Sequence, residues 1–177
     1  MVSVLNGFKE SQEHVLCLQE TWHDKHTLIE IKDICEEWAY ITASPAKPSG
    51  ARGEGVITLT KKNGGTNAQP ILAAIHSQTA IATLNHFKYG DSKLQKCIVI
   101  NFYDQPLNKS KSEKELIFLT NSLRQMHPQT DMVLCGDFNS NWTHVEGLAS
   151  LVNLIPTMPD DKDTWFTRAQ NSLGKRR

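Results

Sequence analysis

The chain has 177 residues, which suits one domain and leaves room for a substantial core. Its 19 basic and 19 acidic residues cancel, and this argues against a polybasic protein that holds nucleic acid by bulk electrostatics alone. Nucleic acid stays open as a partner, because a divalent metal can supply positive charge where a phosphate lies. No apolar run approaches the ~18 residues of a membrane span, and the N-terminus lacks the pattern of a signal peptide. We therefore expect no membrane partner and an intracellular location, nuclear or cytoplasmic.

Hydrophobic periodicity predicts alternating helices and strands along the chain. Helices are predicted at 3–12, at 25–38, from a capping Ser112 onward and at 145–152, and strands at 14–18, 55–60, 71–75, 79–85, 97–103 and 132–135. Lys61 to Thr66 has the composition of a hairpin turn. Strands outnumber helices and several are adjacent, so a mixed-sheet α/β architecture is favoured over a simple βαβ repeat.

The four cysteines indicate a reducing compartment. None forms a CxxC pair, and Cys17, Cys97 and Cys135 each lie inside an apolar run. Buried, unpaired thiols are favoured for these three over zinc ligands or disulfides.

Two predicted strands end in a carboxylate. Val-Leu-Cys-Leu-Gln is followed by Glu20, and Met-Val-Leu-Cys-Gly is followed by Asp137 and, two residues later, Asn139. Polar groups at the ends of buried strands line a rim where ligands bind, and a partly desolvated carboxylate there is costly unless it is paired or binds metal. Oxygen ligands suit Mg²⁺ or Mn²⁺. The alternative is that Glu20 and Asp137 merely cap loops.

Four segments together suggest a family. They are Leu-Gln-Glu-Thr-Trp (18–22), Asn-Phe-Tyr (101–103), Gly-Asp-Phe-Asn (136–139) and Thr-Trp (164–165), in that order. From about residue 3 to its last residue the chain resembles the endonuclease/exonuclease/phosphatase superfamily. Within that superfamily it is similar to the apurinic endonuclease-like domains of non-LTR retrotransposons. The resemblance implies a DNase I-like fold, a four-layer α/β sandwich of two mixed sheets flanked by helices.

The same resemblance implies roles for matched residues. Glu20 would ligate Mg²⁺ or Mn²⁺. Asp137 would share in the metal site and hold or activate the attacking water, and Asn139 would orient that water and contact the scissile phosphate. Tyr103 would lie beside the phosphate; the alternative is a tyrosine packed at a strand end.

Further contacts with DNA are implied near the C-terminus. Trp165 would line the DNA groove and Arg168 would meet the phosphate backbone, together with the basic residues 175–177; packing and ordinary solvation are the alternatives. Arg52-Gly53-Glu54-Gly55 resembles the family's glycine-rich entry to a strand, for which a tight turn is the default reading.

The chain departs from the family's pattern at both ends. The family begins with a strand that carries an Asn, whereas Asn6 reads as a helix residue, and its closing Ser-Asp-His has no counterpart here. We therefore expect residues 1–177 to be a single domain that lacks the first strand and the last strands. It could be part of a longer polyprotein, a decayed copy or a half that needs a partner.

The expected function is Mg²⁺-dependent hydrolysis of DNA phosphodiesters by a retroelement endonuclease. A truncated, inactive relic, a nucleic-acid-binding module and a phosphatase of the same superfamily remain alternatives. Because loss of part of a cooperative catalytic set can cost several orders of magnitude in rate, we expect the chain alone to bind Mg²⁺ weakly and to cleave DNA feebly or not at all.

Overall fold

The computed structural model describes residues 1–46, 55–62, 67–71, 79–87 and 95–156. In chain order these form α1 (Val2–Glu10), β1 (Val15–Gln19), α2 (Lys25–Cys35), β2 (Ala39–Ala43), β3 (Val56–Lys61), β4 (Asn67–Pro70), β5 (Ala80–Phe87), β6 (Gln95–Tyr103), α3 (Lys109–Met126), β7 (Asp131–Asp137) and α4 (Trp142–Leu151). The chain divides into two compact units, Met1–Ser140 and Asn141–Arg177.

The first unit contains a three-stranded antiparallel sheet in the order β1-β3-β2. One face of this sheet and the helices α1 and α2 bury an apolar cluster. Its buried members are Leu5, Phe8, Ile31, Cys35, Ala39, Ile57 and Leu59. Removing this apolar area from water is the main stabilising contribution on this side of the sheet.

The same unit contains a four-stranded sheet in the order β4-β5-β6-β7. Strands β4, β5 and β6 pair antiparallel, and β6 pairs parallel with β7. A parallel pair needs a crossover, which α3 supplies between β6 and β7. Helix α3 buries Leu116, Leu119 and Leu123 and contacts β5.

Polar side chains join the two sheets where they face each other. The Asn101 side chain accepts a hydrogen bond from Gln19 Nε2 at 2.7 Å and donates to the Ile57 carbonyl at 3.0 Å. Further along, Thr60 Oγ1 donates to Asn85 Oδ1 at 2.9 Å. The layers are thus α1 and α2, the three-stranded sheet, the four-stranded sheet and α3. The predicted four-layer α/β fold of two sheets with flanking helices is confirmed.

Three local predictions were wrong. Lys61 to Thr66 was predicted to turn a hairpin, but the strands on either side of it, β3 and β4, belong to different sheets and do not pair, while residues 63–66 themselves lie outside the described residues. The helix predicted to 38 ends at Cys35, and a short strand, β2, follows it. Ser112 is not a cap: α3 begins at Lys109, and the buried Ser112 hydroxyl donates to Asp104 Oδ1 at 2.5 Å. The strand predicted at 71–75 falls mostly outside the described residues.

Of the two predictions for the cysteines, one is confirmed and one was wrong. All four thiols are free, so the expectation of no disulfide is confirmed. Cys17, Cys97 and Cys135 are half-buried, however, and the prediction that they are buried was wrong. Cys17 and Cys135 lie on β1 and β7, which are edge strands within the described part of the chain, so neighbouring strands cover them on one side only.

The second unit contains α4. Asn141 caps this helix, because its Oδ1 accepts a hydrogen bond from the His144 backbone N–H at 3.0 Å. Val145, Leu148 and Ala149 are buried. No helix in the described ranges is both long enough and apolar enough to cross a membrane.

Candidate metal and phosphate site at the strand ends

Glu20 directly follows β1 and lies in the left-handed region of backbone space, with φ at +50°. Such a conformation is uncommon for a residue with a Cβ and persists where neighbouring structure enforces it. The next residue, Thr21, donates its backbone N–H to the Gly55 carbonyl at 3.2 Å. Gly55 has φ at +102°, and a Cβ there would lie 3.0 Å from the Thr21 hydroxyl, so a glycine fits this close approach.

The buried His23 fixes the same loop. Its Nε2 lies 2.9 Å from the Ser44 carbonyl and its Nδ1 lies 2.6 Å from the Thr21 hydroxyl. Because a carbonyl can only accept, Nε2 donates to Ser44, and Nδ1 is joined to the Thr21 hydroxyl by the second hydrogen bond. Sequence reasoning assigned His23 no role, since nothing in its spacing showed that it would become a buried support for the residues after Glu20.

Tyr103 contacts Glu20 directly. It is the last residue of β6, and its Oη donates to Glu20 Oε1 at 2.5 Å. Its ring is buried with Val56 and Ile81 between the two sheets. A ring held by packing fixes its hydroxyl, so Tyr103 orients the Glu20 carboxylate.

Asp137 ends β7 and pairs in register with Tyr103. The preceding Gly136 has φ at +150°, and a Cβ there would lie 1.8 Å from the Phe102 carbonyl oxygen. Only glycine allows this approach of β7 to β6. The Asp137 carboxylate accepts the Asn139 backbone N–H at 3.0 Å, and Asn139 has φ at +45°. Asn tolerates that conformation better than most residues.

Asp104 connects these residues although sequence reasoning did not single it out. Its backbone N–H donates to the Asp137 carbonyl at 2.8 Å, and its carbonyl accepts from Asn139 Nδ2 at 2.8 Å. Its buried carboxylate accepts from Ser112 and lies 3.8 Å from Lys109 Nζ, which also donates to the Ser140 hydroxyl. Its position directly after the Tyr103 strand end was the available signal.

The chemistry of this group fits a hard divalent cation. Glu20 and Asp137 offer carboxylate oxygens, the donors that Mg²⁺ and Mn²⁺ prefer. Both side chains are half-buried, so solvent reaches them while their desolvation makes a bound cation favourable. Asn139 adds an amide that can contact a phosphate oxygen.

The predicted site residues therefore have different outcomes. Glu20 and Tyr103 share a hydrogen bond, Tyr103 and Asp137 are register partners, and Asn139 binds the Asp137 carboxylate. Trp165, Arg168, the basic tail and residues 52–54 lie outside the described residues.

Comparisons with known proteins yield structural matches only. No protein-family model matches the chain, and no curated protein matches it significantly. Among solved structures, the APE2 catalytic domain of Xenopus laevis is similar at 17% identity and TM-score 0.51, over 78% of this chain and 52% of that one. D. rerio TDP2 complexed with a single-strand DNA product matches at 11% identity and TM-score 0.50, over 88% and 57%. ANGEL2, a 2′,3′-cyclic phosphatase, matches at 14% and 0.51, over 92% and 54%.

These likenesses show the fold. The chain has a DNase I-like α/β fold, and it spans between about half and three fifths of the length of these three structures. At such low identities, activity and substrate have to be argued from the chain's own residues.

Proposed function

We propose that this chain is a metal-dependent phosphodiesterase domain that hydrolyses DNA, with Glu20 and Asp137 as the metal ligands. The observation that carries the proposal is the hydrogen bond from Tyr103 to Glu20, together with the register pairing of Tyr103 and Asp137. Tyr103 binds the Glu20 carboxylate and is the register partner of Asp137, and this supports placing both acidic residues at the same strand end. Carboxylate oxygens are the donors that a hard cation prefers.

The residues of the site would have separate roles in hydrolysis. Asp137 would accept the proton of an attacking water, and Asn139 would orient that water and contact the phosphate. The link from Asn139 Nδ2 to the Asp104 carbonyl supports this role, because it fixes the amide plane. Tyr103 would hold Glu20 in its binding orientation. Bound Mg²⁺ or Mn²⁺ would neutralise the charge that develops on the phosphate oxygens.

Trp22 supports a substrate that carries bases. Its side chain is 57% exposed and lies two residues from Glu20. Its φ of +48° is an outlier for a bulky residue, and the flanking Thr21 and His23 are both hydrogen-bonded. An exposed aromatic side chain beside a phosphate site can stack on an unpaired base. The TDP2 structure with its single-strand DNA product supports the same substrate class.

The first test is metal binding, which does not depend on turnover. Titration with Mn²⁺ should give a saturable site in the wild-type chain. Glu20→Gln should lower the affinity at least tenfold, while Glu30→Gln, on the exposed side of α2, should leave it unchanged. Equal affinities for wild type and Glu20→Gln would contradict the proposed ligand.

The second test is nicking of supercoiled plasmid with Mg²⁺, with and without chelator. Any cleavage should be slow, abolished by chelator and lost in Asp137→Asn. Rapid nicking by the 177-residue chain would contradict the expectation that the closing Asp and His of the family are needed. Nicking that survives Asp137→Asn would contradict the role of Asp137.

The specific form of this proposal is a retroelement endonuclease, because the segments Asn-Phe-Tyr and Gly-Asp-Phe-Asn resemble those of the non-LTR retrotransposon domains. A small-phosphodiester phosphatase is the second candidate, favoured by the match to ANGEL2, a 2′,3′-cyclic phosphatase. Assaying a 2′,3′-cyclic nucleotide beside the plasmid separates the two. Preference for the cyclic nucleotide would favour the phosphatase. If the chain binds nucleic acid but neither binds metal nor hydrolyses either substrate, it would be a binding module or an inactive relic.

A further inference from the structure

Two thiols lie against each other between the sheets. Cys17 on β1 and Cys135 on β7 have their Sγ atoms 3.2 Å apart, although 118 positions separate them in sequence. Both are free and half-buried. Neither belongs to the proposed phosphodiesterase site, so this pair is unexplained by that function.

The strand registers hold the two thiols opposite each other. Cys17 pairs with Thr58 in the three-stranded sheet, and Cys135 pairs with Asn101 in the four-stranded sheet. Asn101 Nδ2 donates to Thr58 Oγ1 at 3.2 Å, so the partners of the two cysteines are themselves joined across the gap. Thr58 and Asn101 are buried. The sulfur atoms therefore meet within a four-residue layer that both sheets fix.

A hydrogen bond joins the two sulfur atoms. The Cys135 Sγ also lies 3.6 Å from the Ile100 carbonyl oxygen. Since the thiolate is the nucleophile in thiol chemistry, either cysteine can make a first attack once it has lost its proton, and the neighbouring cysteine can make the second.

We propose that Cys17 and Cys135 form a redox-active dithiol, which a small-molecule disulfide such as oxidised glutathione converts into an intramolecular disulfide between β1 and β7. One of the two cysteines attacks, as its thiolate, one sulfur of the reagent, whose S–S bond breaks and releases one thiolate. The other cysteine then loses its proton and attacks the sulfur of the first, which displaces the second glutathione as a thiolate. Two protein thiols are oxidised, and one disulfide is reduced to two thiols.

The two sulfur atoms are already in contact. A disulfide has its sulfur atoms about 2.0 Å apart, and the present separation of 3.2 Å leaves a short approach between edge strands of the described sheets. The bond would join the strands that lead to Glu20 and Asp137. It closes a long loop, so it should also restrict the unfolded chain.

The test treats the folded chain with oxidised glutathione, blocks remaining thiols under denaturing conditions and measures intact mass and linked peptides. The chain should lose two of its four titratable thiols and yield a peptide that links Cys17 to Cys135. Its denaturant midpoint should rise and return to the starting value with reductant. Cys97→Ser, also half-buried, is the matched control and should form the same link.

Single substitutions isolate the first step. Cys17→Ser and Cys135→Ser should each stop at a glutathione adduct on the remaining cysteine of the pair, without a link. A wild-type chain that accumulates adducts on both residues without a link, or that links Cys97 instead, would overturn the proposal. The wild-type mass and peptide map decide this even where a serine variant fails to fold.

Discussion

The two faces of the three-stranded sheet differ in how they bind their neighbours. Along β1, Leu16 and Leu18 pack toward α1 and α2, whereas the alternate residues Cys17 and Gln19 meet the other sheet through polar atoms. The outer face gains free energy by burying area, which is non-directional. The inner face uses hydrogen bonds, which require a particular register. The larger apolar cluster lies on the outer face, whereas the inner face combines the smaller cluster of Val56, Ile81 and Tyr103 with hydrogen bonds that align the strand ends.

Truncation on the outer face should give the largest loss of stability. Leu59 is fully buried in the cluster with α1 and α2. Leu59→Ala should lower the free energy of unfolding by about 2–5 kcal/mol, because it removes buried methyl groups and leaves a cavity. Ile29→Ala on α2, where the side chain is 55% exposed, should stay within about 0.5 kcal/mol of wild type. Equal urea midpoints for the two variants would contradict the conclusion that apolar burial on the outer face stabilises the chain.

Truncating a polar side chain on the inner face should lower the free energy of unfolding less than Leu59→Ala does, but it should disturb the alignment of the two sheets more. Asn101→Ala removes the partner of the Gln19 side chain and of the Ile57 carbonyl, at about 1–3 kcal/mol for buried groups left without a hydrogen bond. Asn121→Ala, on the exposed side of α3, is the matched control. Asn101→Ala should also slow the linking of Cys17 to Cys135. Unchanged linking would show that the register does not depend on this amide.

Removing a single hydroxyl at the strand ends separates the orientation of Glu20 from the packing of the Tyr103 ring. Tyr103→Phe keeps the buried ring and removes the hydroxyl that orients Glu20. Unfolding free energy should fall by about 0.5–1.5 kcal/mol, whereas Mn²⁺ affinity should fall by about 10–100-fold, as for other partners of metal ligands. Tyr40→Phe on β2 is the control. A variant with weakened folding but wild-type metal affinity would make Tyr103 a packing residue only.

Sequence patterns predicted the parts of the molecule that depend on short segments. Apolar runs located β1 and β7, and therefore Glu20 and Asp137 at their ends. The contribution of His23 could not be read in this way, because it depends on Ser44, which is distant in sequence. Asp104 follows a strand end as Glu20 does, but its link to Asn139 depends on a residue that is distant in sequence. Ser112 shows the same limit: its spacing to Glu115 is typical of a cap, but the Asp104 carboxylate binds its hydroxyl inside the helix.

Trp22 is exposed and contributes to neither face of the three-stranded sheet, so its substitution should affect binding without affecting stability. Trp22→Ala should leave the urea midpoint unchanged and weaken single-strand DNA binding by about 1–3 kcal/mol, the range for one stacked base. Trp22→Phe should retain most of the affinity. An oligonucleotide with an abasic position at the contacted base should bind wild type and Trp22→Ala equally. A Trp22→Ala loss that persists on that oligonucleotide would rule out stacking.

The smallest expected effect lies at the other end of this loop, where Asp24 caps α2. Its carboxylate accepts from the Thr27 backbone N–H at 2.9 Å and from the Thr27 hydroxyl at 3.0 Å. The backbone hydrogen bond first, and the hydroxyl second, lower the pKa of Asp24 below its ordinary value. A carboxyl group whose pKa is lower in the folded state contributes stability above its unfolded pKa, and that contribution is lost as pH falls through the folded pKa.

Asp24→Asn tests this sign, because Asn caps helices about as well as Asp but does not titrate. Near neutral pH the wild-type chain should have the slightly higher urea midpoint, since its carboxylate also interacts favourably with the positive end of α2. As pH falls through the lowered pKa of Asp24, the wild-type chain loses this advantage and the two midpoints should converge. Asn141, which caps α4 with an amide, shows that an uncharged side chain can satisfy such a helix end. A midpoint difference that stays constant or widens in acid would mean that the Asp24 charge contributes nothing to the cap.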